Sequence, residues 1–196
     1  MQDYLHVLKY TLSRFPDARI IVYGHSLGGS VAVCLLSKLR DGIGCKDTED
    51  SNYMDGRFAN IRGLILENPF SSIPDMTKAL YPDRWTPYHY MGPLTWDQWN
   101  ALGVMRNVRG DGSVLDRLRR DMMVVISEND EVVPKEMGKE LWEAGRTGEG
   151  LHEDDRDLNG FGSIVVVRKA LHENAWMRRQ WLKEMSQYLA EVRRRL

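Results

Sequence analysis

The sequence lacks the features that mark several specialised classes of protein. Its 196 residues include only 2 cysteines, too few for a disulfide framework. The formal net charge of −1 argues against a nucleic acid as the main partner. We find no internal repeat, no signal peptide or membrane-spanning run, and no Cys/His/Asp group with the spacing of a metal site. With 42% hydrophobic residues, the chain 1–196 is expected to form one globular domain around one core.

A glycine-rich hexapeptide is the most informative segment that is present. It consists of Gly24, His25, Ser26, Leu27, Gly28 and Gly29. A short β-branched run at 18–23 precedes it, and apolar residues at helical spacing follow it at 30–39. The hexapeptide spells neither the P-loop nor the dinucleotide-binding pattern. Strand, G-x-S-x-G and helix in this order are typical of a nucleophile elbow, which presents its serine on a sharp turn.

The elbow makes two demands on its neighbouring residues. Strand and helix approach each other closely, so we expect Gly24 and Gly28 to be needed because neither has a Cβ atom. The first N–H groups of the helix point toward the serine and favour a developing negative charge. The backbone N–H of Leu27 is therefore the predicted oxyanion donor.

An acidic partner for Ser26 is predicted in the loop after the apolar strand at 122–127. This loop contains Glu128, Asp130 and Glu131, and it lies at the carboxyl edge of the sheet, where catalytic groups gather. Asp130 is favoured because the residues at 132–134 begin the next helix and fix the loop behind it. The alternative for Asp130 is a structural role in a turn or a helix cap.

His172 is the predicted general base, since it follows a strand at 162–168 and completes the order Ser, acid, His. None of the other histidines has both the correct order and the correct position. They are His6 in a predicted N-terminal helix, His25 in the elbow, His89 among aromatic residues and His152 in an acidic loop.

Four segments together resemble a known family. They are the elbow, Glu-Asn-Pro-Phe-Ser-Ser-Ile-Pro-Asp-Met at 67–76, Asp-Glu-Val-Val-Pro at 130–134 and His-Glu-Asn-Ala-Trp at 172–176. They are similar to the α/β-hydrolase-domain serine hydrolases of the bud-emergence type. The resemblance covers most of the chain from about residue 17 onward, without the loops at 41–60 and 146–161.

The resemblance implies a catalytic triad of Ser26, Asp130 and His172. It also implies esterase, thioesterase or peptidase-like acyl chemistry without a cofactor, on a small-molecule or lipid-like acyl substrate. It does not specify that substrate. Full-length proteins of this family often carry an N-terminal membrane anchor, so the localisation stays open.

The chain departs from the family pattern before the elbow. Family members carry upstream strands and an oxyanion loop of the His-Gly type, whereas here an amphipathic helix precedes the elbow, with Tyr4, Leu5, Leu8 and Leu12 at helical spacing. We therefore expect this chain not to supply the second oxyanion donor, and losing one such donor typically costs about 10²- to 10³-fold in turnover. We expect a partial α/β-hydrolase fold.

The predicted sheet has four parallel strands, because helix-forming sequence separates each strand from the next. The strands are predicted at 19–24, 61–67, 122–127 and 162–168. Without upstream strands, the first one would expose an edge of unpaired backbone. We therefore predict self-association through this sheet edge.

The segment 68–121 is a predicted cap that carries many aromatic residues. It could form an apolar lid over the nucleophile that suits an acyl chain, or its rings could simply pack a small subdomain. The sequence predicts a serine hydrolase that cleaves an acyl ester or thioester, with Glu67 as structural support. The alternative is a catalytically impaired remnant that acts as a protein-interaction module.

Overall fold

A four-stranded parallel sheet forms the centre of the molecule. The computed structural model describes residues 1–42, 51–83, 85–90, 92–147 and 160–195. The strands, in spatial order, are β1 (Ile20–His25), β2 (Ile61–Glu67), β3 (Met123–Ser127) and β4 (Ser163–Val167). Each of them lies within a residue of its predicted bounds, and all neighbours are parallel. The predicted α/β architecture is confirmed.

Because the strands run in one direction, their carboxyl ends share one edge of the sheet. His25 is aligned with Glu67 across β1 and β2, and Ser127 is aligned with Val167 across β3 and β4. The loops that follow these strands therefore meet above this edge, where ligands bind in open parallel sheets.

Helices cover both faces of the sheet. They are α1 (Gln2–Arg14), α2 (Leu27–Leu36), α3 (Ile73–Leu80), α4 (Ala101–Asn107), α5 (Val114–Leu118), α6 (Lys135–Thr147) and α7 (Arg179–Arg194). Short 3₁₀ turns lie at Ser51–Tyr53, Gly56–Asn60, Pro87–Tyr90, Gly92–Leu94 and Ala175–Met177. This gives the three layers of an α/β fold.

The core lies on both faces of the sheet because alternate strand residues point in opposite directions. Leu64 and Leu66 pack with α1, α2, α4, α5 and α6 on one face. Ile65 packs on the other face with Tyr188 and Val192 of α7. Strands that are buried on both faces require continuous apolar runs, as β2 and β3 have.

The helix that follows the elbow is buried along nearly its whole length. Every residue from Gly29 to Leu36 is buried, including Cys34. Burial raises the pKa of the Cys34 thiol from 9.0 to about 11, so this thiol is protonated at neutral pH. A buried, protonated thiol of this kind behaves as a small apolar core residue.

The segment 68–121 divides into two parts. Its second part packs into the main core through α4 and α5, for example through Met105 and Leu115. Its first part carries Trp85 and Trp96 almost fully exposed. A cap function for 68–121 stays a prediction.

The strand that leads to Ser26 is an edge strand, as predicted. β1 pairs with β2, and no strand in the described part of the chain pairs with its other side. Self-association through this edge stays a prediction. No helix in the described ranges combines the length and apolarity that crossing a membrane requires. Cys45 and His152 lie outside the described residues.

Candidate active site

Ser26 occupies a sharp turn between β1 and α2. Its backbone has φ 52° and ψ −121°, a conformation that is rare for a residue with a side chain. The Ser26 N–H donates to the carbonyl of Glu67 at 2.8 Å, and the Gly29 N–H donates to the carbonyl of Ser26 at 2.9 Å. These bonds hold the strained backbone, as an elbow requires.

The structure confirms the expected role of Gly24 in the elbow but not that of Gly28. A Cβ on Gly24 would lie 2.5 Å from the carbonyl oxygen of Gly28, so glycine is required there. A Cβ on Gly28 would have no neighbour within 4 Å, so the expectation for Gly28 is wrong. The second close approach is at Gly29, where a Cβ would lie 3.1 Å from Cβ of Pro69. The reason is geometric: Gly28 supplies the backbone that Gly24 approaches, while its own Cβ position faces open space.

Leu27 is the first residue of α2, and its side chain is exposed. The N–H of a first helical residue has no partner within the helix. The Leu27 N–H is therefore available beside Ser26, at the end of the helix where the dipole favours negative charge.

Asp130 and His172 form a buried pair. The Nδ1 atom of His172 lies 2.8 Å from Oδ2 of Asp130, and both side chains are almost inaccessible to solvent. The other oxygen of Asp130 accepts hydrogen bonds from the N–H groups of Val132 and Val133, at 2.8 and 2.7 Å. Asp130 thus fixes the turn with one oxygen and holds the imidazole with the other.

The two competing carboxylates bind backbone instead. Glu128 accepts a hydrogen bond from the Lys169 N–H at 2.8 Å, and Glu131 accepts one from the His172 N–H at 3.1 Å. All three acidic residues of the loop after β3 therefore hold the loop after β4, but only Asp130 contacts the imidazole ring of His172.

Two further side chains hold the carbonyl of His172. Nδ2 of Asn68 donates to this oxygen at 2.8 Å, and Nε2 of His25 donates to it at 3.0 Å. Sequence reasoning missed both contacts. Asn68 stands within the Glu-Asn-Pro-Phe segment that carries the family resemblance, and this was the available signal.

Ser26 is adjacent in the chain to a residue whose ring lies against that of His172, and no direct hydrogen bond joins Ser26 to His172. The rings of His25 and His172 have centroids 4.8 Å apart, and Ser26 directly follows His25. Among the described residues, the Ser26 hydroxyl has no hydrogen-bond partner. Bonds between nucleophile and base are often long in free enzymes and tighten when substrate binds.

Glu67 lies buried beneath the elbow. Its carboxylate accepts hydrogen bonds from the hydroxyl of Tyr23 at 2.8 Å and from Nε1 of Trp181 at 2.6 Å. Burial, together with the Glu67 charge, raises the pKa of Tyr23 above its ordinary value. Glu67 therefore ties β1 to α7, which agrees with the expected support role.

Apolar side chains surround the candidate residues. Leu27 beside Ser26 and Leu171 beside His172 are both exposed, as are Trp176 and Met177 in the turn that follows His172. Nearby, an open cleft of about 280 Å³ is lined by Tyr23, His25, Glu67, Glu173 and Trp176. With two carboxylates in its lining, this cleft does not offer the apolar surface that an acyl chain needs.

Comparison with known proteins finds relatives of similar sequence. No family model matches the chain. The chain is 27% identical over 155 residues to lysophosphatidylserine lipase ABHD12 of Xenopus tropicalis, which covers 77% of this chain and 35% of that protein. It is 28% identical over 120 residues to Protein bem46 of Schizosaccharomyces pombe, covering 59% of this chain and 29% of that protein. The chain is therefore similar in sequence to these two proteins over 77% and 59% of its own length.

Solved structures agree on the hydrolase fold. Acylaminoacyl peptidase of Pyrococcus horikoshii superposes with a TM-score of 0.56 at 15% identity, over 98% of this chain and 27% of that one. A carboxylesterase structure from Nitrososphaera gargenis gives a TM-score of 0.53 at 12% identity, over 100% of this chain and 73% of that one. The resemblance to the bud-emergence type is confirmed by the relatives. The chain spans about a third of the length of the curated relatives that it matches.

Proposed function

We propose that this α/β-hydrolase chain is a serine hydrolase that cleaves acyl esters or thioesters. In this proposal Ser26 is the nucleophile, His172 is the general base and Asp130 holds the imidazole in the required tautomer. The Leu27 N–H is one oxyanion donor. The reaction requires no cofactor.

The proposed reaction has two steps. The Ser26 hydroxyl attacks the acyl carbonyl while Nε2 of His172 takes its proton, and the oxyanion accepts a hydrogen bond from Leu27. The intermediate collapses to an acyl-enzyme when His172 returns the proton to the leaving alcohol or thiol. A water molecule, activated by His172, then attacks the acyl-enzyme and releases the acid, which regenerates Ser26.

One observation carries the proposal. The 2.8 Å bond between His172 and Asp130 involves Nδ1, so Nε2 is the ring atom that remains for Ser26. Ser26 lies in its strained turn at the end of β1, on the same sheet edge as the loops that carry Asp130 and His172, and this supports the three assignments. A buried Asp–His pair serving only to stabilise the loop would not require a strained serine beside it.

A lipid-like acyl group is the proposed substrate class. The exposed apolar side chains of Leu27 and Leu171, which flank Ser26 and His172, favour an apolar acyl chain over a charged one. The relatives named as lysophosphatidylserine lipases support the same class.

Labelling with a fluorophosphonate probe tests the function. We expect the wild-type chain to form a covalent adduct, and the Ser26→Ala and His172→Ala variants to lose it. Circular dichroism would establish that both variants are folded. Equal labelling of wild type and Ser26→Ala would contradict the assignment of the nucleophile.

The competing interpretation is an impaired hydrolase that acts as an interaction module, and the unpaired side of β1 favours it. Folded wild-type protein that does not react with the probe would support this interpretation. Substrate panels of esters and thioesters would then be replaced by binding studies with Ser26→Ala as the control.

A further inference from the structure

His172 is held at every polar group except the one that the proposed reaction uses. Its N–H donates to Glu131, its carbonyl accepts from Asn68 and His25, and its Nδ1 bonds Asp130. The residue is also 5% exposed. Fixing the main chain on both sides leaves the ring little freedom to tilt, and Nε2 is the polar atom left without an assigned partner among the described residues.

Asn68 connects the loop that carries His172 to the strand β3. It is buried, and its N–H donates to the carbonyl of Val125 at 2.8 Å. Its side-chain oxygen accepts from the Ser127 N–H at 2.8 Å, while Nδ2 donates to the hydroxyl of Ser127 at 3.0 Å and to the carbonyl of His172 at 2.8 Å. One amide thus links the ends of β2 and β3 to the loop that carries His172.

The residue type at position 68 is restricted in two ways. The backbone has φ 46°, a left-handed conformation that asparagine tolerates better than most residues. The side chain must also donate and accept at once, which an amide does and a carboxylate or an aliphatic group does not. Glycine would satisfy the backbone conformation alone, so the three side-chain hydrogen bonds of Asn68 indicate a role for its amide.

We propose that Asn68 is a positioning residue that sets the location of the His172 ring by holding its main-chain carbonyl, with His25 as the second donor. The proposal rests on the proposed function for its catalytic consequence, but its structural part does not depend on substrate. Asn68 bonds the His172 backbone and has no assigned contact with the reacting atoms, so it acts through His172.

The expected consequence is kinetic. Reacting groups must lie within hydrogen-bond reach in a defined orientation, and a displacement of about 1 Å can cost as much as 10²-fold in rate. Asn68→Gly keeps the left-handed backbone accessible and removes the donor. We expect fluorophosphonate labelling of folded Asn68→Gly to be slower than wild type by about tenfold or more.

Ser127→Ala is the matched control. It removes the other acceptor of Nδ2 but leaves both the Ser127 N–H and the bond from Asn68 to His172 available. We expect wild-type labelling within about twofold for this variant. If Asn68→Gly does not fold, Asn68→Asp replaces the donor by an oxygen of the same size and is expected to slow labelling as well.

Proton NMR provides a readout that does not need catalysis. The Nδ1 proton of His172, bonded to Asp130, gives a far-downfield resonance when the ring is fixed. We expect this resonance in wild type and Ser127→Ala, and its loss or broadening in folded Asn68→Gly. A folded Asn68→Gly variant with wild-type labelling and an unchanged resonance would overturn the proposal.

The two proposals can fail separately. If wild type does not label at all but its resonance is present and is lost in Asn68→Gly, the proposed function fails and the positioning role stands. If wild type labels through Ser26 and Asn68→Gly labels equally fast, the function stands and the positioning role is wrong.

Discussion

The two edge strands of the sheet each lead to one part of the candidate site. They differ in whether a side chain forms hydrogen bonds with the outer backbone of the strand. β4 leads to His172, and Gln180 of α7 covers its outer side. Nε2 of Gln180 donates to the carbonyl of Val166 at 2.9 Å, and its oxygen accepts from the Arg168 N–H at 3.1 Å. This side-chain amide takes the place of a neighbouring strand, which is one way to protect an edge.

β1 leads to Ser26, and no described side chain covers its outer backbone in this way. The nucleophile is held instead by backbone packing, with Gly24 against Gly28 and the Ser26 N–H on Glu67. His172, the candidate base, is thus held by specific side-chain hydrogen bonds, whereas Ser26, the candidate nucleophile, is held where glycines let strand and helix approach closely. Variants should therefore affect the two halves in different ways.

Replacing Asp130, the candidate acid, should have the largest effect. Asp130→Asn keeps the shape of the side chain but disturbs the tautomer of His172, and the corresponding change costs about 10⁴-fold in turnover in a Ser-His-Asp enzyme. Rates of fluorophosphonate labelling and ester hydrolysis would measure it. Glu128→Gln is the control, because its amide oxygen still accepts from Lys169. Equal losses in both variants would show that the whole loop, rather than Asp130, is responsible.

Adding one methyl group to Gly24, in the strand that leads to Ser26, should have the next largest effect. In Gly24→Ala the new Cβ would meet the backbone of Gly28 at 2.5 Å, and overpacking of this kind costs about 3 kcal/mol of unfolding free energy. Gly28→Ala has open space and should stay within about 0.5 kcal/mol of wild type. Urea unfolding of both variants measures the difference. Equal stabilities would contradict the close approach of strand and helix.

Variants at the outer sides of β1 and β4 should have a smaller effect on the free energy of unfolding. They should, however, change the degree of self-association measurably. Gln180→Ala removes two hydrogen bonds at β4 and should cost about 1 kcal/mol while increasing self-association. Tyr23→Lys places a charge on exposed β1 and should decrease it. Sedimentation velocity at several protein concentrations measures both. A wild-type chain and variants that are all monomeric would contradict edge-to-edge association.

The smallest effect near neutral pH should come from Cys34, in the helix behind Ser26. Its pKa is raised in the folded state from 9.0 to about 11, so its stabilising contribution is complete below pH 9 and is lost as the pH rises toward 11. The stability difference between wild type and Cys34→Ala should therefore change across this interval and stay constant below it. Thermal unfolding from pH 7 to 11 tests this, and a constant difference up to pH 11 would contradict it.

Much of the fold could be predicted from the sequence because its signals are local. The segments 63–66 and 122–126 are continuous apolar runs within two of the predicted strands, and short runs of this kind are typical of buried parallel strands. The order of Ser26, Asp130 and His172 along the chain also predicted which residues gather at one sheet edge. Asp130 could be preferred over its neighbours, yet the sequence did not reveal that Glu131 binds the His172 backbone.

The roles that the sequence did not reveal depend on approaches between distant segments. Gly29 faces Pro69, whereas Gly28 faces open space. The sequence does not indicate which of these two adjacent glycines makes the close contact. The hydrogen bond of Asn68 to His172 joins residues 104 positions apart. A spacing pattern cannot encode such a contact.

The strands, their parallel direction and the candidate nucleophile, acid and base could be predicted from the sequence, since each follows from local pattern and chain order. How these groups are held is visible only in the folded chain: Asn68 and His25 on the carbonyl of His172, Gln180 along β4 and the close approach at Gly24. The physical reason is range. Periodicity and turn chemistry act between neighbours in the chain, whereas hydrogen bonds and steric contacts of a few ångströms act between whichever segments the fold brings together.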